Sequence, residues 1–148
     1  MTLKKWADNG WLKPHKTSRQ EIGNLLAIVR RDLADARVSG ISDDWRFGIA
    51  YNGALKLCTV LLYAEGYRPA QNLAHYRTLQ TLPLILGMKR KSDADYLDTC
   101  RTKRNTVEYD YVGGATEADA NELVEFAESL ERDVVAWLKA NHSVLMPD

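Results

Sequence analysis

Between Cys100 and Tyr111 the chain reads Cys-Arg-Thr-Lys-Arg-Asn-Thr-Val-Glu-Tyr-Asp-Tyr, which crowds three cations, an amide and two phenols onto the end of an expected helix. Gly113 and Gly114 then stop it. Arg101 and Arg104 are three residues apart and share a helical face, so two guanidiniums can clamp one phosphate through paired hydrogen bonds. Asn105 offers a hydrogen-bonding amide for phosphate or ribose, and Tyr109 a ring that stacks on a base or a hydroxyl that donates to it. The same residues leave a second arrangement open, because Arg104 and Glu108 are four apart and can simply pair. His75 is the only histidine inside the expected bundle, His15 and His142 lying near the ends. If His75 faces the same cleft, it brings the side chain whose reference pKa of about 6.5 suits proton transfer at neutrality.

Charge is distributed unevenly over a neutral chain. Twenty basic and twenty acidic residues cancel, which removes any whole-molecule argument for nucleic acid or membrane. Locally, six cations fall between Lys89 and Arg104, whereas Glu117 to Asp133 holds seven anions against one cation. Two neighbouring antiparallel helices can compensate each other's fields, or the basic stretch, led by Lys89, Arg90 and Lys91, can face RNA. Cys58 and Cys100 lack metal-ligand or redox spacing and read as reduced core thiols. No phosphate-binding glycine loop, zinc-protease helix or hydrolase elbow is present, and no metal or cofactor is expected. The first residues show no signal-peptide pattern, and the longest apolar stretch, Leu55 to Ala64, is short of a membrane span of about 20 residues. A soluble cytoplasmic protein is the expectation.

The elements that must position these groups are all expected to be helices. Trp6, Trp11 and Leu12 read as anchors on a short first helix that Pro14 closes. Ser18-Arg19-Gln20-Glu21 is a capping box opening a helix over about 18–38, with Ile22, Leu25, Leu26, Val29, Leu33 and Ala36 on one stripe. Ser42, Asp43 and Asp44 cap a central helix, apolar around most of its circumference, in which Gly48 and Gly53 suggest close approach of another helix. Glu65 to Pro69 reads as a tight turn before a third helix over about 70–86. Its stripe includes Leu73 and Tyr76, and Pro83 should kink or split it. Ser92 caps a fourth helix with Tyr96, Leu97, Cys100 and Val107 inward, and Thr116 with Asp119 caps a fifth that runs to about Asn141. No segment reads as a strand. The fold class is all-α, one domain over 1–148: an up-and-down four-helix-type bundle with an additional short N-terminal helix.

Arg104-Asn105-x-x-x-Tyr109-x-Tyr111, preceded by Ala50-Tyr51-Asn52 and Gly66-Tyr67-Arg68, resembles the HEPN domain family over about Ser18 to Asn141. The resemblance implies a small helical bundle that homodimerises and, in active members, a metal-independent ribonuclease, often a toxin. Its Arg, Asn and His motif comes together from two protomers. Here Tyr109 stands at the histidine, and a phenol with a reference pKa of about 10 stays protonated at neutral pH and is a poor general base. A non-catalytic RNA-, nucleotide- or partner-binding homodimer is therefore expected first, and a ribonuclease toxin with an altered site second. Tyr111 occupies the position of the family tyrosine that a partner nucleotidyltransferase modifies with AMP, which implies an antitoxin of that type as a partner.

Overall fold

A computed structural model describes residues 1–109 and 112–148, with side chains described outside 107–111. Tyr111 and the side chains of Val107, Glu108 and Tyr109, on which part of the expected site rests, lie outside the described residues. The chain forms α1 (Leu3–Asp8), β1 (Leu12–Pro14), α2 (Arg19–Ala36), α3 (Asp43–Ala64), β2 (Tyr67–Pro69), α4 (Ala74–Gln80), α5 (Leu82–Leu86), α6 (Lys91–Tyr109) and α7 (Glu117–Asn141). It is a helical bundle, as the periodicity predicts.

The central helix is α3, which packs against α2, α6 and α7. Its buried residues run right round it, from Phe47 and Ala50 through Ala54, Leu57 and Cys58 to Leu61 and Leu62. Among the described residues α3 alone is long and apolar enough to cross a membrane, at a mean hydropathy of 1.3, yet 67% of that window is buried inside the fold. Its apolarity is spent on three helical neighbours. Gly53 shows how close one of them comes, since a Cβ there would sit 3.3 Å from Leu33 Cδ2 of α2. Among the described residues, a Cβ at Gly48 would meet only the Cγ of Arg104, at 4.0 Å.

Caps fix where the long helices begin. Ser18 accepts from the Glu21 amide, Ser42 from the Trp45 amide, and Thr116 and Asp119 form a complete capping box on α7. The box expected on α2 is only half made. Glu21 takes a hydrogen bond from Thr17 Oγ1 at 2.7 Å and pairs with His15 Nε2 at 2.6 Å instead of reaching back to Ser18. His15 is held there by its ring against Tyr63, at 4.2 Å between centroids, and by its amide donating to the Gly66 carbonyl.

Four local expectations are corrected. The short first helix ends at Asp8, and Leu12–Pro14 is a strand, paired antiparallel with Tyr67–Pro69 in the register Leu12 to Pro69. Two tripeptides are too short to show alternation, and each ends in a proline, which reads as a breaker. The third helix begins at Ala74 and not near 70, after Leu73 turns with φ 56, while the split expected of Pro83 is present, at Thr81, with Pro83 in the first turn of α5. Tyr76, expected in its core stripe, is 37% exposed. Ser92 does not cap α6: a 3-10 turn over Met88–Arg90 runs straight into the helix from Gly87 (φ 109), leaving Ser92 inside it.

Asp44 ties the connection after α6 back to the start of α3. Its carboxylate accepts from the Gly113 amide at 2.6 Å and the Ala115 amide at 3.0 Å, and these bonds hold its pKa below the ordinary 3.8. A carboxyl whose pKa is depressed on folding contributes stability that is present above its unfolded pKa and is lost as pH falls through the folded value. Asp44→Asn is thus expected to lower Tm at pH 7, with the gap to the parent closing as pH falls past the ordinary 3.8 and through the lowered folded value. Thermal unfolding across a pH series reads this, and a pH-independent gap would remove the charge from the account.

Candidate phosphate-binding cleft

Two helices shape the site. Along α6, Arg101, Arg104 and Asn105 recur at helical spacing and turn toward α4 and α3, while Leu97 and Cys100 are buried. Burial pushes the Cys100 thiol up to about 11 and the Cys58 thiol to about 12, so both remain protonated core residues. Helix α4, only seven residues long, cannot hold itself in place. It packs on α6 and α3 through buried Thr78 and Leu79, and a contact from outside the bundle adds to that. The Arg77 guanidinium lies 3.9 Å from the ring centroid of Trp11 and 6.0 Å from that of Trp6, and the two indoles meet edge-on at 5.4 Å.

Between α4 and α6 opens a cleft of about 340 Å³ whose walls include Gln71, Leu73, His75, Tyr76, Arg101 and Asn105. The structure thus brings together three of the residues singled out in the sequence: His75, Arg101 and Asn105. Arg101 is oriented by its own helix, its Nε donating to Asp98 at 2.8 Å while Cζ sits 5.8 Å from the Tyr76 ring centroid. Arg104 is not in the wall. It lies beside the cleft on the α3 side, with Cζ 5.8 Å from the ring centroid of buried Tyr51 and Nη1 donating to Asn105 Oδ1 at 3.3 Å. That setting is aromatic as well as polar.

His75 feels all of these cations. Partial burial, and then the charges of Arg104, Lys56 and Arg101, depress its pKa below the ordinary 6.5, so the imidazole is mainly neutral at pH 7. Among the described residues no carboxylate lines the cleft, and Asp98, the acid beside Arg101, is engaged with its Nε. Tyr76 was missed as a site residue. A tyrosine at stripe spacing reads as core, and only the late start of α4 turns it outward.

The basic stretch divides between two roles. Arg90 pairs with Asp133 of α7 as well as with Asp93, and Lys103 pairs with Asp119 of α7 at 2.9 Å. Lys91 pairs with Asp95 within α6. Arg90 and Lys103 therefore belong to the seam between α6 and α7, whereas Arg101 turns to the cleft. Among the described residues no group of three His, Cys, Asp or Glu side chains converges as a metal site. Comparison with family models, with curated proteins and with solved structures returned no match.

Proposed function

We propose that this protein is a HEPN-like homodimer of the cytoplasm that binds RNA or nucleotides through the cleft between α4 and α6. The observation that carries the reading is the convergence of Arg101, Asn105 and His75 beside an exposed aromatic, Tyr76, on walls that hold no carboxylate among the described residues. Cationic and amide donors next to a ring are what phosphate and base require together. The dimer is supported by the resemblance and by the α3 face that carries Gly48, next to Arg104 among the described residues, and Trp45, which is 63% exposed. A two-fold axis there would bring the two copies of the motif side by side. An antitoxin or a nucleotidyltransferase acting on Tyr111 is the partner class that goes with this reading.

A second reading, metal-independent RNA cleavage, is favoured by His75: a neutral imidazole in the same cleft as Arg101 and Asn105 can take a proton, which Tyr109 cannot do well. One experiment separates these readings. Sedimentation of the protein with a labelled single-stranded RNA, in EDTA, is expected to give twice the 16.8 kDa protomer mass and co-migrating intact RNA. Shortened RNA would establish the second reading. A monomer at every concentration, with free RNA, would overturn both.

A further inference from the structure

The cleft differs from a track for a phosphate chain in being local and one-sided. Arg101 and Asn105 stand one turn apart on α6, His75 faces them from α4, and Tyr76 supplies a ring next to the Arg101 guanidinium. Within the basic stretch, Arg90 and Lys103 pair with acids of α7 and Lys91 with Asp95, so the described cations that act on the cleft are gathered around His75: Arg101, Arg104 and Lys56. A mid-chain phosphodiester carries one charge and has neighbours on both sides. A terminal phosphomonoester carries nearly two above its second pKa of about 6, and it has three free oxygens to share among several donors.

We propose, building on the RNA- or nucleotide-binding reading above, that the cleft between α4 and α6 is a receptor for a terminal phosphomonoester attached to a nucleoside. Arg101 and Asn105 hold the phosphate, His75 donates a third hydrogen bond to it, and the base stacks on Tyr76. The shared chemistry is that of a free nucleoside monophosphate and of the phosphorylated end of an RNA strand.

Proton linkage follows from the same geometry. Among the described residues, the charged groups that act on His75 are Lys56 from α3 and Arg101 and Arg104 from α6, all cations, with Tyr76 beside it on α4 and Asp98 turned to Arg101. Partial burial first, and then these cations, lower its pKa and keep the imidazole neutral. A bound dianion reverses that field, so His75 takes up a proton on binding, and affinity falls as pH rises from about 6.5 to 8, by up to tenfold per pH unit.

The test uses the full chain and two short RNAs of one sequence, one with a 5′-phosphate and one with a 5′-hydroxyl, together with free AMP. Titration calorimetry at pH 6.5 is expected to show the phosphorylated strand bound about tenfold or more tightly than its hydroxyl twin. The preference should shrink toward pH 8. His75→Gln, which keeps a donor but cannot titrate, should flatten the pH profile, and Arg101→Ala should abolish the preference, with circular dichroism confirming that both variants fold. AMP bound with the same pH slope identifies the free nucleotide as the source; binding of the phosphorylated strand alone identifies the RNA end. Equal binding of both strands would overturn the phosphomonoester assignment and leave the RNA-binding reading standing. No binding of any probe would overturn the two together.

Discussion

Arg104→Ala is expected to weaken binding of single-stranded RNA about 10- to 100-fold, more than the loss of any one exposed lysine. The figure corresponds to one hydrogen bond to a charged group, about 1.5–3 kcal/mol. Arg104 is held in advance by the face of Tyr51 and by Asn105, so little side-chain freedom is lost when it meets a phosphate. Lys89 is exposed, and its flexible stem makes exchangeable contacts. Because each neutralised phosphate releases counterion, the slope of log affinity against log salt should also become shallower, by about 0.7 for every phosphate of a single strand that the variant no longer neutralises. A modest stability loss accompanies the change, about 0.5–2 kcal/mol for the interaction with the Tyr51 ring. Salt-dependent titrations of Arg104→Ala and Lys89→Ala against one RNA decide the point. Unchanged RNA affinity in Arg104→Ala would make the arginine a structural partner of Tyr51 and nothing more.

The largest effect on folding is expected inside α3. Leu57 is fully buried in the helix that touches α2, α6 and α7 together, so truncating it leaves a hole that no single neighbour can close by moving. Leu57→Ala should cost about 2–5 kcal/mol, a large part of the roughly 5–15 kcal/mol by which a domain is stable. Tm should fall by about 4–20 °C. Leu25→Ala, on the partly buried edge of α2, should cost much less. Chemical denaturation of the two variants would reveal the difference, and a loss under about 1 kcal/mol at Leu57 would refute the central position given to α3.

Regular helices were legible because their signals are redundant. On α7 the stripe from Ala120 to Leu138 and the Thr116 and Asp119 box point to the same element, and both are realised. Gly53 likewise pointed to the close approach of another helix, which proves to be α2, whereas Gly48 meets no such helix among the described residues. The pairing of Leu12–Pro14 with Tyr67–Pro69 was hidden because it is specified by contacts across more than fifty residues and not by any local pattern. The site was half legible for the same reason. Arg101 was singled out by its spacing to Arg104 and Asn105 by the motif resemblance, and the basic stretch hinted at its pairing with α7. The contribution of Tyr76 was hidden because α4 begins only after the turn at Leu73, with Arg77 in the hold of two distant indoles.

That hold has an engineering consequence. Helix α4 packs on α3 and α6 and also sets Arg77 against Trp6 and Trp11, so one wall of the cleft can be adjusted from residues outside its lining. A library that varies only the lining of the cleft would sample one set of wall positions. Randomising Trp6 and Trp11 along with it would tilt the wall itself, and selectivity could then be retuned while Arg101, Asn105 and His75 keep their chemistry.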